Sequence, residues 1–287
     1  MTAPEDLSLR TMGPDDLAGA IDWAAAEGWN PGIHDSPCFL APDPDGFLIG
    51  ERNGEPVSCI SIVTYPGDFA FLGFYIVKKE FRGRGYGFKT WQAALKRANG
   101  CVIGLDGVVA QQANYQKSGF VLAWNNIRYG GKLGGVLPRP NKNAGNILPL
   151  SEIPAAALDA YDRKHFPAPR PAFLRLWTTR PGTSAIGLQR GGTLCGYGVI
   201  RPCREGYKIG PLFADDESAA EALLLKLAEQ AVGSTLYIDT PEPNITAQRL
   251  ADNLDLKPVF ETARMYSGPA PVISRRGVYG ITSFELG

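Results

Sequence analysis

Phe74-Tyr75-Ile76-Val77-Lys78-Lys79-Glu80-Phe81-Arg82-Gly83-Arg84-Gly85-Tyr86-Gly87 is the stretch that decides how this chain folds. It leaves a β-rich apolar run and enters a segment, Tyr86 to Asn99, in which Phe88, Trp91, Leu95 and Ala98 recur at helical spacing until Gly100 stops them. Glycines at 83, 85 and 87 let the backbone turn its N–H groups toward one point. The helix that follows adds unsatisfied N–H groups and the positive end of its dipole, so the turn suits a phosphate or pyrophosphate. Arg82 and Arg84 add charge on the same side. A mobile basic surface turn is the competing reading. A P-loop is set aside because GxxxxGK[ST] is absent, and a dinucleotide fold because no acidic residue follows a GxGxxG by about 20 positions. No reiterated RGG tract points to RNA.

Outward from this turn, Leu7 to Met12 reads as a strand, and Pro14, Asp15 and Asp16 open an amphipathic helix that Gly28 ends. Phe47 to Arg52 and Val57 to Tyr65 are strands joined by Asn53-Gly54, the strongest short hairpin signal. Strand Phe69 to Val77, strand Cys101 to Leu105, a short helix near Ala110 to Ser118 and a strand from Phe120 complete a β-α-β-β-β-α-β-α-β order. That order calls for a mixed sheet flanked by helices. Gly130 to Asn146 holds five glycines, two prolines and three asparagines and reads as a linker. Beyond it the order recurs, and Val77 to Phe120 and Phe213 to Leu256 both span 43 positions, an offset of 136. The expectation is a first domain over 1–130, a linker over 131–146 and a second domain over 147–287.

Length agrees, since 287 residues exceed what one core comfortably fills. Lys plus Arg and Asp plus Glu both number 29, which argues against nucleic acid or an anionic membrane as the main partner and for a small, locally bound ligand. Five scattered cysteines without a CxxC pair suggest neither a disulfide framework nor zinc, and His34 and His165 are too far apart in sequence to imply a metal. The opening residues carry no basic region before an apolar run, and no stretch of about 18 apolar residues occurs, so a cytoplasmic location is expected.

Arg82-Gly83-Arg84-Gly85-Tyr86-Gly87 resembles the R/Q-x-x-G-x-G/A signature of the GNAT superfamily of acetyltransferases, placed after a strand as that signature is. Asn114-Tyr115-Gln116-Lys117-Ser118-Gly119-Phe120 resembles the family's Y-x-K-x-G-F segment. The resemblance covers residues 7–130; the second half looks like a divergent relative of the same fold. Gly28-Trp29-Asn30-Pro31-Gly32 and Leu105-Asp106-Gly107-Val108 are similar, more loosely, to a two-domain subgroup. The implied fold is α/β, with two tandem GNAT-like domains, each a mixed, mostly antiparallel sheet flanked by helices.

What the resemblance implies is an N-acetyltransferase that moves an acetyl group from acetyl-coenzyme A to a primary amine of a small molecule or peptide by direct attack. Backbone groups of Ile76 and Val77 would pair with the pantetheine arm as an added strand does. Amides of Arg82, Gly83, Arg84, Gly85, Tyr86 and Gly87 would hold the pyrophosphate, with Asn114 and Lys117 as further contacts. Tyr115 takes the general acid's position, its alternative being a ring packed between helix and sheet. An amide near Val77, in the strand Phe69 to Val77, would polarise the thioester carbonyl. The base is open among Glu51, Glu80, Asp106 and His34, with Asp106 preferred for its place at a strand end. In the second half the offset carries the three glycines to Ala219, Glu221 and Leu223 and Tyr115 to Ala251, so that half is expected to keep the fold without the cofactor. It would form one wall of the acceptor site or serve as a structural partner. A non-catalytic acyl-coenzyme A sensor is the alternative function.

Overall fold

The structure is a computed structural model and describes residues 6–139 and 143–287; residues 1–5 of the expected first domain and 140–142 of the expected linker lie outside the described residues. The first half runs β1 (Leu7–Thr11), α1 (Pro14–Ala26), α2 (Ser36–Leu40), β2 (Phe47–Arg52), β3 (Glu55–Tyr65), β4 (Phe69–Val77), α3 (Tyr86–Arg97), β5 (Val102–Val108), α4 (Gln112–Lys117) and β6 (Val121–Lys132). The second runs β7 (Asn146–Pro149), α5 (Ala155–Asp162), α6 (Pro171–Trp177), β8 (Ser184–Arg190), β9 (Thr193–Pro202), β10 (Tyr207–Ala214), α7 (Glu217–Ala228), β11 (Thr235–Pro241), α8 (Ile245–Asp252), β12 (Lys257–Tyr266) and β13 (Val278–Gly280). Short α2, α6, β7 and β13 escaped the sequence reading, because elements of three to seven residues carry too few positions to show a period.

Local chemistry explains the regular parts. The Gly13 amide donates to the Asp16 carboxylate at the head of α1, which closes the helix start that Pro14 and the acidic first turn announce. Asn53 and Gly54 both take positive φ, 52° and 79°, as the tight hairpin between β2 and β3 requires. Helix α7 is buried nearly all round, from Ala219 to Ala228, because Leu223 and Leu227 pack onto β9 at Gly196 and Gly198. A Cβ at either glycine would come within 2.9 Å of those leucines. Helix α3 covers the first half in the same way, with Trp91, Ala94 and Ala98 packed against Ile62, Leu72 and Leu105.

Among the described residues the strands form one sheet in the order β1-β2-β3-β4-β5-β12-β6-β11-β10-β9-β8-β7, with β13 added on β10. The mixed, helix-flanked sheets expected for the two halves are present, and they are joined edge to edge through β6 and β12. Strand β6 pairs antiparallel with β11, from Thr235↔Lys132 to Pro241↔Asn126. Strand β12 pairs antiparallel with β5, from Thr262↔Val108 to Tyr266↔Gly104. Each half therefore receives a strand from the other, and β6 and β12 lie side by side at the centre. Strand β6 continues to Lys132, two residues past the expected boundary at 130. One hydrophobic core crosses the join: Phe39 stacks on Trp177 with ring centroids 6.0 Å apart.

Two buried ion pairs lock the exchange. Arg264 on β12 donates to both oxygens of Asp106 on β5 at 2.7 and 2.6 Å. Arg128 on β6 donates to both oxygens of Asp239 on β11 at 2.6 and 2.8 Å. The arginines are related by the repeat offset of 136, so the same cross-strand device occurs twice. Bidentate pairs of this kind are specific in geometry, and leaving one partner alone in the interior is expensive. Arg264→Ala is expected to lower unfolding free energy by about 3–5 kcal/mol by stranding Asp106. Arg10→Ala, which breaks half-exposed pairs with Asp16 and Glu51, is expected to cost less than about 1 kcal/mol. Equilibrium urea unfolding of both variants checks the contrast.

Candidate active site

Strands β4 and β5 run parallel, but their pairing stops early: Phe69↔Val102 through Leu72↔Leu105 are in register, and no pair follows. From Gly73 onward β4 keeps β3 on one side, with Cys59↔Ile76 and Ser58↔Val77, while β5 turns to β12. The β5-facing edge of β4 over Gly73 to Val77 is thus without a strand partner, and Ile76 and Val77, the residues expected to pair with an extended ligand, lie on it. Strand β4 is irregular at the point of separation: its register on β3 shifts between Gly73 and Ile76, and Phe74 has φ 47°. A cavity of about 600 Å³ opens from this edge to the glycine turn and is lined at its ends by Arg82, Gly83, Gly85 and Gly87, and by Phe260, Thr262, Phe284 and Glu285.

In the turn after β4, Gly83 and Gly85 take φ 76° and 85°, which glycine adopts without strain, and a Cβ on Gly83 would meet nothing within 4 Å, so glycine there serves conformation and close approach. Gly87 has a different reason: a Cβ there would lie 2.8 Å from the Tyr75 hydroxyl and 2.9 Å from Val77 Cγ2, so it lets α3 settle onto β4. Arg82 folds back, its Nε donating to the Val77 carbonyl at 2.8 Å and its Nη2 to Glu27 at 2.6 Å. Arg84 lies over the Phe81 ring at 5.6 Å. The Tyr86 side chain is buried and donates to Asp6 at 3.1 Å. These three side chains brace the turn, which leaves its backbone to meet a ligand.

Tyr115 is buried on α4, stacked 5.5 Å from Trp91, and its ring lies flat on β5 at Gly107, where a Cβ would approach to 2.2 Å. Burial pushes its hydroxyl up to about 12, with Tyr75 adding to the shift, so it holds its proton throughout the neutral range. It lines the cavity. Asn114 and Lys117, expected beside it, occupy the exposed face of α4; Asn114 donates to Gln111 at 2.7 Å and Lys117 to Asn114 at 3.5 Å. Neither lines the cavity.

Asp106, the preferred base, already has partners. Asp106 lines the cavity, yet both its oxygens accept from Arg264 and one also from Asn126 at 2.7 Å, and Asp239 repeats the arrangement in the second half. It is half of a structural ion pair. Glu51 on β2 is bonded to Arg10 on β1, Glu80 is exposed in the turn after β4, and His34 is exposed in the loop before α2. None of those three lines the cavity. Phe260, Thr262, Phe284 and Glu285 were missed because they reach the cleft only through the exchanged β12 and the final segment. Trp29 carried a signal, the GWNPG segment; that loop is held where its ring lines the cavity by Arg128 of β6, which donates to the Trp29 carbonyl at 2.7 Å, and by Lys208 of β10 in the second half, which donates to that of Asn30 at 2.9 Å.

Comparison with known proteins settles the family. The acetyltransferase (GNAT) family matches residues 17–120, and a second acetyltransferase (GNAT) domain family matches residues 158–280. A holothin acyltransferase from Pseudoalteromonas sp. (strain SANK 73390) is 31% identical over 271 residues, 93% of this chain and 90% of the relative. The chain belongs to the GNAT acetyltransferase family. It is an acyltransferase with two GNAT domains in tandem. Its fold matches the crystal structure of a candidate acetyltransferase from Pyrococcus horikoshii over 100% of this chain and 98% of that one, with TM-score 0.84 and 26% identity. A tandem GNAT protein from the clavulanic acid biosynthesis pathway shares the fold at TM-score 0.62 and 15% identity, over 92% of this chain and 99% of that one.

The two GNAT halves differ at the cleft. Strands β10 and β11 also separate after three parallel pairs, Tyr207↔Leu236 to Ile209↔Ile238. There the freed edge is filled by the chain itself, as β13 pairs antiparallel with β10 at Leu212↔Gly280 and Phe213↔Val278. Eight residues, 78–85, separate β4 from α3, but only Asp215 and Asp216 separate β10 from α7. The glycine turn is shortened away, so Ala219 and Leu223, which a constant offset sets against Gly83 and Gly87, are buried residues within α7. The head of that helix is capped by Asp216, which accepts from the Ala219 amide at 3.0 Å and pairs with Arg190.

Gly85→Val is expected to weaken acyl-coenzyme A binding at least tenfold without unfolding the protein, because a β-branched residue resists φ near 85° and fills the approach to the turn. Calorimetric titration alongside a melting curve checks it; unchanged affinity in a folded variant would remove the turn from the binding site.

Proposed function

We propose that this enzyme transfers an acetyl group from acetyl-coenzyme A to the primary amine of a small molecule or peptide, by direct attack within the β4–β5 cleft of the first half. The observation that carries the reading is the unpartnered β4 edge, which begins beside a buried tyrosine and ends at the glycine turn within one cavity. Backbone groups around Ile76 and Val77 suit the pantetheine arm by strand addition, and amides from Arg82 to Gly87 suit the pyrophosphate. Acetyl-coenzyme A supplies the activated acyl carbon. The chain's residues hold it, exclude water and manage protons.

Tyr115 is read as the acid that protonates the departing sulfur; burial, which keeps the phenol neutral, its position on the cavity wall, and a hydroxyl without a protein hydrogen bond among the described residues support this. A β4 amide on the edge near Val77 is the group to polarise the carbonyl. Trp29, Phe74, Phe260 and Phe284 make the acceptor end of the cavity aromatic, which favours an amine on a compact apolar body. A relative named as an acyltransferase of holothin supports acyl transfer to an acceptor other than water. With its own β13 on the β10 edge and Asp215 and Asp216 in place of the glycine turn, the second half is read as the wall that completes the acceptor site. No observation favours a non-catalytic sensor, since the cavity continues past Tyr115 to the residues of β12. Among the described residues no helix is long and apolar enough to cross a membrane, which accords with a cytoplasmic enzyme.

Calorimetry is expected to find one acetyl-coenzyme A site per chain, and two equivalent sites would overturn the assignment. A panel of amines, polyamines, amino acids and peptides screened for coenzyme A release identifies the acceptor. With a good acceptor, Tyr115→Phe is expected to lower kcat and kcat/KM together by about 10²-fold, the low end for general acid catalysis because a thiolate leaves readily. Cofactor affinity should hardly change, as the phenyl ring keeps its place against Trp91 and Gly107. Wild-type turnover in this variant would return Tyr115 to packing alone.

A further inference from the structure

The segment after β13 crosses from the second half into the first and is fixed at each step. The Ile281 amide donates to the Asp239 carbonyl at 2.9 Å, and Arg170 donates to the Thr282 hydroxyl at 2.9 Å. Gly210 gives room for the chain, as a Cβ there would come within 2.6 Å of the carbonyls of Ile281 and Thr282. The Phe284 ring lies beneath the Arg128 guanidinium at 4.6 Å. The Tyr65 hydroxyl donates to the Leu286 carbonyl at 3.3 Å. Between these anchors the main chain of Glu285 rests on β4 at Gly73, where a Cβ would meet the Glu285 carbonyl oxygen at 2.3 Å. This is the place where β4 parts from β5 and its register breaks.

Three carboxylate residues line the cavity, and two are spoken for. Glu27 pairs with Arg82 at the turn, and Asp106 is chelated by Arg264. Glu285 is buried, 5% exposed, and its carboxylate has no hydrogen bond or ion pair among the described residues. We propose that Glu285 is the catalytic base that takes the acceptor amine's proton at the junction of β4 and β5; this rests on the amine-acetylating reading above.

The surroundings suit the task. Burial raises the Glu285 carboxyl above its ordinary value; Lys208 on β10 opposes this most, Asp35 before α2 reinforces it, and Arg128 on β6 and Arg201 on β9 also oppose it. Those cations already have partners: Arg128 has Asp239, Arg201 has Asp35, and Lys208 has the carbonyls of the Trp29–Asn30 loop. Burial therefore makes this carboxylate more basic than an ordinary glutamate, as a proton acceptor should be. An acceptor arriving as an ammonium loses one proton to the Glu285 carboxylate. Its freed lone pair forms the N–C bond, the C–S bond breaks with its electron pair leaving on sulfur, and the Tyr115 hydroxyl protonates that sulfur. The nitrogen's surplus proton restores Tyr115, and Glu285 releases its own to solvent, so one proton leaves per turnover.

The test compares wild type with Glu285→Gln, using an aliphatic amine that is protonated at pH 7 and a weakly basic amine that is neutral there. With the aliphatic amine the variant is expected to lose about 10²–10³-fold in kcat/KM at pH 7. Its rate should then climb roughly tenfold per pH unit toward the amine's own pKa, where wild type is flat. With the weakly basic amine the loss should be under about tenfold. The carboxyl carbon of Glu285, assigned by ¹³C difference spectra against the variant, should titrate above the ordinary glutamate value of about 4.3. An equal loss with both amines and an unchanged pH profile would make Glu285 a packing residue and overturn the proposal. Melting temperature and acyl-coenzyme A affinity are the fold controls. If the Gln variant does not fold, Glu285→Asp is expected to turn over more slowly while keeping the flat profile, and a steep profile would overturn the proposal. Wild type that releases no coenzyme A with any amine defeats the underlying reading, whereas active wild type with an unaffected variant defeats only the role of Glu285.

Discussion

The antiparallel contact between β6 and β12 is what the rest of the molecule depends on. Each strand comes late in one half of the chain and completes the other half's sheet, so β5 finds its neighbour in β12 and β11 finds its neighbour in β6. Without the exchange, β5 and β11 would each present an unpaired edge in the middle of the molecule, with backbone groups left unsatisfied. The Arg264–Asp106 and Arg128–Asp239 pairs fix its register, since a slip of one residue would send both guanidinium groups to the opposite face of the sheet.

The cleft follows from the same contact. A parallel β4–β5 pair that breaks after four residues leaves a wedge, and β12 holds β5 away from β4 while contributing Phe260 and Thr262 to the cavity wall. The second half forms the same wedge between β10 and β11 and closes it with β13. One duplicated fold has thus been put to two uses: in one half a free backbone edge and a glycine turn, in the other an occupied edge and an acidic helix cap. The chain that fills the second wedge continues to Gly73 in the first, so closing one cleft and shaping the other are parts of a single path.

Proton chemistry in the cleft is set by burial. Tyr115 keeps its proton because its ring is sandwiched between Trp91 and the bare backbone of Gly107. Asp106 and Glu285 are both buried carboxylates in one cavity, and they differ in their partners. A guanidinium that satisfies both oxygens makes the first a strut, whereas the second has charges around it and none in contact.

Much was legible in the sequence where the physics is local. Asn53-Gly54 marked the hairpin because few residues accept positive φ. Gly83 and Gly85 marked the turn after β4 for the same reason, and helical spacing marked α3. The Tyr115 motif located a residue that does line the cavity, and the equal spacing of the halves disclosed the duplication, though not that the turn between β10 and α7 had been shortened. Which strand lies beside which is a matter of long-range pairing. Nothing in the residues of β6 or β12 distinguishes a partner in the same half from one more than 100 positions away, since the alternation of buried and exposed side chains would be alike. For that reason the sequence alone specified the fold of each half, the glycine turn and Tyr115. Only the tertiary structure decided that Asp106 is bound by Arg264, that β13 occupies the second groove, and that Glu285 reaches the first, because each is set by strand exchange and chain path that no local signal encodes.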